Sequence, residues 1–135
     1  MKITEFGLIG EKLPHSYSAE IHKKLRGYDY RLCELKKEEL PLFFEERAFR
    51  GINVTIPYKK DVIPYLSYID PKAKSIGAVN TIVNRGGALF GYNTDYYGLS
   101  SLFSLIGVSP KGKKAMILGT GGTSRTALAV LRDAG

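Results

Sequence analysis

A lysine and an aspartate have side chains suited to proton transfer. Lys59 ends the segment Asn53-Val-Thr-Ile-Pro-Tyr-Lys59, and Asp95 ends the segment Gly91-Tyr-Asn-Thr-Asp95. When a hydride reaches a carbonyl carbon, negative charge develops on the oxygen, and a cation that also donates a proton stabilises that transition state. A nearby carboxylate favours the charged form of a lysine. Taken alone, the lysine is more typical of a surface residue and the aspartate of a helix cap, but further polar clusters along the chain weaken both of these explanations.

Other polar side chains stand next to predicted strands and helices. Ser16 and Ser18 precede the first predicted helix, and Asn80 lies in Gly77-Ala-Val-Asn80-Thr81. Thr55 is two residues after Asn53, so both side chains point to the same side of a strand. Ligands of open α/β sheets bind at the carboxyl ends of strands. The clusters therefore predict one ligand site, although the serines alone are equally typical of loop and N-cap residues.

A glycine-rich turn follows residues 116–118 and precedes a predicted helix. A strand, a glycine turn and a helix N-terminus bring backbone N–H groups up to a pyrophosphate. Ser124 stands where the general dinucleotide fingerprint has a glycine or alanine, and an ordinary strand-to-helix turn is the alternative interpretation. The residue that reads the adenosine ribose is expected about 20 residues later, past Gly135, so this sequence does not choose between NAD and NADP. The residues expected to bind the cofactor are Gly119, Gly121, Gly122, Thr123 and Ser124.

Predicted strands and helices alternate along the chain and would position these residues. Helical stretches also begin at Pro57 and Pro71, and Arg85-Gly86-Gly87 predicts a hairpin turn. The pattern predicts an α/β fold with a mainly parallel sheet flanked by helices. A polar connection over 107–114 predicts two domains, 1–106 and 107–135, the second being the truncated first unit of a Rossmann domain. Strands are predicted over residues 3–9, 28–35, 51–55, 79–84, 88–92 and 115–118, and helices over 19–25, 38–48, 95–105 and 124–134.

Composition excludes several classes of protein. The 135 residues, 44% of them hydrophobic, suffice for one sizeable core. The net charge of +7 attracts anions, but the basic residues are spread along the chain, so we expect no nucleic-acid partner. Cys33 is the only cysteine, which excludes an internal disulfide and a multi-cysteine metal site. We expect no metal site. We also expect no membrane partner and a cytoplasmic location, because neither a signal peptide nor a long apolar segment is recognisable.

Five motifs together resemble those of the shikimate dehydrogenase family, in the family's order and almost from end to end of the chain. Lys12 and Ala19 stand where the family is expected to have prolines, although both serines are retained. The motifs are His15-Ser16-Tyr17-Ser18, Asn53-Val-Thr-Ile-Pro-Tyr-Lys59, Gly77-Ala-Val-Asn-Thr81, Gly91-Tyr-Asn-Thr-Asp95 and Gly119-Thr-Gly-Gly-Thr-Ser-Arg125.

The resemblance implies a site for a hydroxylated cyclohexene carboxylate. It assigns the carboxylate to Ser16 and Ser18, and the ring hydroxyls to Thr55, Asn80 and Asp95. Lys59 and Asp95 become the catalytic pair, and Lys59 also counts among the substrate-binding residues. The family reduces 3-dehydroshikimate to shikimate with NADPH, in the route to chorismate and the aromatic amino acids. The implied cofactor is NADP, and we expect a monomer or homodimer.

Alternatives remain open at this point. A quinate or mixed quinate/shikimate dehydrogenase using NAD or NADP could share every motif. A non-catalytic binding protein or a basic nucleic-acid-binding α/β module would belong to another class; the presence of both Lys59 and Asp95 argues against the first, and the scattered basic residues against the second. Because the nucleotide-binding unit stops at Gly135, we expect residues 1–135 alone to bind shikimate weakly and not to catalyse.

Overall fold

The computed structural model describes residues 3–135 and shows a six-stranded sheet flanked by helices, as predicted for the fold class. The strands are β1 (Phe6–Gly10), β2 (Tyr30–Glu34), β3 (Gly51–Val54), β4 (Tyr68–Ile69), β5 (Thr81–Arg85) and β6 (Ala88–Tyr92). The helices are α1 (Ser18–Arg26), α2 (Leu40–Glu46), α3 (Pro71–Ile76), α4 (Thr94–Leu105) and α5 (Gly122–Ala134).

The strand order is β2-β1-β3-β5-β6-β4. β1 runs parallel to β2 and β3, and β4 runs parallel to β6, whereas β5 is antiparallel to both of its neighbours. Among these six strands β5 alone is therefore reversed, which confirms the mainly parallel sheet. The carboxyl ends of β1, β3 and β6 and the beginning of β5 consequently meet at one edge of the sheet.

Successive residues of β1 belong to separate cores on the two faces of the sheet. Ile9 packs in the larger core with Phe44 of α2 and with Cys33 of β2, which is also buried. Leu8 packs in a smaller core with Tyr30, next to Ala19 of α1. This alternation follows from the two-residue period of a strand, so both faces are covered and the open edge is left for ligands.

Two predicted elements are wrong. Residues 115–118 form no strand, and Met116 and Leu118 are 83% and 86% exposed, because a strand needs a pairing partner and no segment of 3–135 pairs with them. The stretch after Pro57 forms turns and a single 3₁₀ turn at Ile63–Tyr65 instead of a regular helix. Pro64 lies inside it and has no N–H to continue a helix. β4, only two residues long, was not predicted.

α5 is fixed to the rest of the structure by polar contacts. The Asp133 carboxylate oxygen Oδ2 accepts from Lys72 Nζ of α3 and from the Tyr96 hydroxyl of α4, both at 2.5 Å. Asn93, 1% exposed, donates from Nδ2 to the Ala78 carbonyl at 3.0 Å and to Thr126 Oγ1 at 3.4 Å. The start of α5 is thereby held beside the sheet edge. The division into domains at residue 107 stays a prediction.

Candidate functional site

A cleft of about 760 Å³ lies at the sheet edge where β1, β3 and β6 end. It is lined by residues of the loop after β1, the end of β3, the segment before β5 and the start of α4. The structure brings together here all six residues that the sequence predicted for the substrate: Ser16, Ser18, Thr55, Lys59, Asn80 and Asp95.

Lys59 and Asp95 form an ion pair inside this cleft. Lys59 lies in the turn after β3 and donates from Nζ to Asp95 Oδ2 at 2.6 Å. The Lys59 side chain is only 14% exposed and that of Asp95 38% exposed. Asn93, not Asp95, caps α4, since its Oδ1 accepts from the Tyr96 N–H at 3.3 Å. The carboxylate of Asp95 is therefore not needed for capping and is directed to the lysine.

Asn80 is buried, and both the oxygen and the nitrogen of its side-chain amide make hydrogen bonds. Its Oδ1 accepts from the Thr94 N–H at 2.8 Å and from Thr81 Oγ1 at 3.1 Å, and its Nδ2 donates to Thr94 Oγ1 at 3.0 Å. These bonds join the segment before β5 to the first residue of α4. Because the amide is held from several sides, its orientation toward the cleft is fixed before any ligand arrives.

The loop between β1 and α1 carries Ser16 and leads into Ser18, and hydrogen bonds restrain it near both of its ends. The Leu13 N–H donates to Glu34 Oε1 at 2.7 Å, which ties the loop to β2. Ser16 Oγ accepts from the Ser18 N–H at 3.3 Å, while the residue at the N-cap position of α1 makes no side-chain cap bond. A Cβ at Gly10 would lie 2.7 Å from Thr55 Cγ2, so glycine is what lets the loop and β3 approach each other.

A second cleft, of about 470 Å³, adjoins the first. It is lined by all five residues predicted to bind the cofactor, together with the turn after β3 and Leu118. Lys59 lines this cleft as well as the first one. The methylene carbon Cδ of Lys59 lies 3.5 Å from the position a Cβ would take at Gly122. The paired lysine therefore stands where the two clefts meet.

The glycine turn has a shape that suits a pyrophosphate. Gly119 has φ of +115°, a backbone conformation that favours glycine, and a Cβ at Gly119 or Gly121 would meet no atom within 4 Å. α5 begins at Gly122, and Ser124 Oγ donates to the Gly121 carbonyl at 2.6 Å. The first N–H groups of a helix lack intrahelical partners and bind anions.

Within residues 3–135, no group of three or more His, Cys, Asp or Glu could hold a metal ion, and no helix is long and apolar enough to cross a membrane.

The first cleft also contains residues that were not among the six predicted to bind the substrate. Asn53 and Thr94 lie within motifs at a strand end and a helix start, so their positions could have identified them. Lys12 and His15 come from the loop after β1, where composition gives no comparable signal. Asn53 Nδ2 donates to Thr81 Oγ1 at 3.2 Å, across the register that pairs these two residues.

Comparison with known proteins identifies relatives over nearly the whole chain. Residues 8–82 match the family model described as the shikimate dehydrogenase substrate binding domain. The shikimate dehydrogenase (NADP(+)) of Clostridium beijerinckii is 44% identical over 139 residues, covering 96% of this chain and 51% of that protein. The chain thus spans about half the length of the curated relatives it matches.

Solved structures agree with the sequence match. Shikimate dehydrogenase 1 of Peptoclostridium difficile superposes with a TM-score of 0.93 at 45% identity, covering 98% of this chain and 52% of that one. Shikimate 5-dehydrogenase of Thermus thermophilus, solved in complex with NADP(H) and shikimate, gives a TM-score of 0.88 at 36% identity, covering 98% and 53%.

Proposed function

Because the chain belongs to the shikimate dehydrogenase family, we propose that it is the substrate-binding half of an NADP-dependent shikimate dehydrogenase that reduces 3-dehydroshikimate to shikimate. The observation that carries this proposal is the ion pair between Lys59 and Asp95 at the junction of the two clefts. A redox reaction between a bound substrate and a bound nucleotide needs a proton donor at such a junction.

The first cleft supplies groups suited to a hydroxylated carboxylate. Ser16 and Ser18 provide hydroxyls for the carboxylate, at the end of the cleft formed by the loop after β1. Thr55, Asn80 and Asp95 line the same cleft and provide hydrogen-bonding groups for the ring hydroxyls. Hydrogen bonds to an ionised group are about twice as strong as neutral ones, so both serines contribute charge-assisted hydrogen bonds to the substrate carboxylate in this assignment.

Lys59 donates the proton. As an ammonium it gives its proton to the oxygen of the carbonyl that is being reduced, which becomes the ring hydroxyl. Asp95 Oδ2, at 2.6 Å, holds the Lys59 Nζ in place and compensates its charge in a partly buried site. In the oxidative direction the same lysine accepts the proton of the substrate hydroxyl.

The second cleft supplies the nucleotide site. When bound there, NADPH would supply the hydride. Gly119, Gly121 and Gly122 give the close backbone approach, and Thr123 and Ser124 lie in the first turn of α5, where an anion is favoured. The glycine turn fits either nucleotide, and NADP is proposed from the family relationship.

Lys59→Met in the full-length enzyme tests this proposal. We expect kcat to fall by about 10²-fold or more, the effect of losing a general acid, with a smaller change in the affinity for shikimate. Lys74→Met is the matched control, because Lys74 is an exposed lysine of α3 that lines neither cleft. Near-normal turnover of Lys59→Met would reject the catalytic role of this lysine.

Substrate identity is tested by assaying the wild-type enzyme with shikimate and quinate, each with NAD and NADP. A higher kcat/KM for shikimate with NADP than for the other combinations supports the proposal. A preference for quinate would assign the same site to quinate oxidation. The place in chorismate and aromatic amino-acid biosynthesis, the cytoplasmic location, the absence of nucleic-acid and membrane partners and the monomeric or dimeric state stay predictions.

A further inference from the structure

Tyr30 of β2 makes a polar contact with the first cleft although it is part of a hydrophobic core. It is 9% exposed and packs with Leu8 and Leu13. Its hydroxyl donates to Asn53 Oδ1 at 2.7 Å, and Asn53 lines the cleft. Burial raises the pKa of Tyr30, with a smaller contribution from Tyr28 in the same direction, while interaction with the Ser18 side chain lowers it. The phenol therefore stays protonated and remains a donor.

The orientation of Asn53 follows from its partners. Asn53 Nδ2 lies 3.4 Å from the Asn80 carbonyl oxygen and 3.2 Å from Thr81 Oγ1. A carbonyl oxygen only accepts hydrogen bonds, so the amide nitrogen has to face Asn80 and the amide oxygen has to face Tyr30. The tyrosine is then the donor of the shared hydrogen bond. An amide oxygen has two lone pairs, and one of them is left for a ligand hydroxyl.

The ring of Tyr30 is itself held in place. It stacks on the His22 imidazole with 4.0 Å between ring centroids and 6° between planes. His22 in turn makes a 2.5 Å hydrogen bond through Nδ1 with the Tyr28 hydroxyl. His22 of α1 therefore holds the Tyr30 ring of β2 in the orientation that brings its hydroxyl to Asn53 of β3.

We propose that Tyr30 is a positioning residue of the substrate cleft: by donating to Asn53 Oδ1 it sets the Asn53 amide so that the remaining lone pair accepts a hydroxyl of the bound cyclohexene carboxylate. The inference rests on the proposed function, since it assigns that ligand to the first cleft. Tyr30 touches neither Lys59 nor the second cleft among the contacts described above. Its role is therefore in substrate affinity and not in proton transfer.

Tyr30→Phe removes only this hydroxyl, and Tyr68→Phe is the matched control, because the Tyr68 ring packs against Phe90 of β6 and lines neither cleft. In the full-length enzyme we expect Tyr30→Phe to raise the KM for shikimate by about three- to tenfold, the effect of one hydrogen bond. The kcat of Tyr30→Phe should stay within about twofold of the wild-type value, and so should its KM for NADP. The kcat and the KM for shikimate of Tyr68→Phe should also stay within about twofold of wild type. If Tyr30 had a purely structural role, Tyr30→Phe would lower both kcat and the melting temperature instead of raising the KM for shikimate alone.

A double-mutant cycle with Asn53→Ala shows whether the effect of Tyr30→Phe on the KM for shikimate is transmitted through Asn53. If Tyr30 acts through Asn53, its substitution should change the KM for shikimate much less when Asn53 is already alanine. An equal fold-change in both backgrounds would overturn the proposal, and so would equal KM values for Tyr30→Phe and wild type. A wild-type enzyme that fails to turn over shikimate would overturn the proposed function, and this inference with it.

A measurement on the wild-type chain does not depend on any variant folding. Titrating shikimate into the 135-residue chain, with NMR detection of side-chain resonances, should shift the Asn53 amide and the Tyr30 ring. The Tyr28 ring should shift less, since its hydroxyl is directed to His22. Binding of shikimate that leaves both Asn53 and Tyr30 unshifted would contradict the positioning role.

Discussion

Replacing Asn93 by alanine should destabilise the chain substantially, because this one side chain makes three contacts. Its Oδ1 caps α4, and its Nδ2 satisfies the Ala78 carbonyl and reaches Thr126 of α5. Loss of an N-cap costs about 1 kcal/mol. Ala78 is fully buried, and a buried carbonyl left without a donor costs about 1–3 kcal/mol. The sum is about 2–4 kcal/mol, a large part of the about 5–15 kcal/mol that stabilises a typical domain.

Urea unfolding followed by circular dichroism measures this effect. With a slope of about 2 kcal/mol per molar urea, the expected loss moves the unfolding midpoint by about 1–2 M. Asn93→Ser is the matched control, because its hydroxyl can still accept from the Tyr96 N–H but no longer reaches the carbonyl that the longer amide satisfies. It should therefore recover about the 1 kcal/mol of the cap and no more.

Two results would refute this reasoning. A loss smaller than about 1 kcal/mol for Asn93→Ala would mean that the Ala78 carbonyl is satisfied in another way. Equal stabilities of the serine and alanine variants would mean that the cap at the start of α4 contributes nothing. A changed slope with urea would instead indicate a change in the surface exposed on unfolding.

Further predictions concern the carboxylate site and the α5 contacts. Ser16→Ala and Ser18→Ala should each weaken shikimate binding in isothermal titration, since a charge-assisted hydrogen bond contributes about 1.5–3 kcal/mol; wild-type affinity in both variants would make the serines purely structural. A hydrogen bond from Lys72, and to a lesser degree one from Tyr96, lowers the pKa of Asp133. The stability that this carboxylate adds is therefore present above its unfolded pKa of about 4, and it is lost as the pH falls through the lower folded pKa. Thermal melts should therefore show wild type more stable than Lys72→Met near neutral pH, with the gap narrowing in acid and at high salt, and a gap independent of pH would contradict this.

Local patterns predicted most of the fold. The strand predicted over 88–92 coincides with β6 (Ala88–Tyr92), because alternation and the preceding glycine turn are both local signals. The strand predicted over 115–118 was wrong because an apolar run becomes a strand only beside a partner. Ile21 and Leu25 of α1 are four residues apart, a spacing typical of one buried helical face, yet they are 52% and 70% exposed. Ala19 and His22 face the sheet instead, which the spacing alone did not reveal.

The convergence of the site was predictable for a physical reason. Five of the six strands share a direction, so residues that follow strand ends in the sequence gather at one edge in space. Tyr30 was not predicted because its contact with Asn53 depends on strand order. β1 lies between β2 and β3, and no local pattern shows that a side chain can reach across it. The roles assigned to the six cleft residues stay predictions.

The position of Lys59 on the wall of both clefts has a thermodynamic consequence. A ligand in one cleft that restrains this side chain changes the surface that the other ligand meets. The two binding equilibria are then linked by a coupling free energy, and each ligand alters the affinity of the other by the same factor. The order of arrival changes the path of assembly but leaves the total free energy of the ternary complex the same.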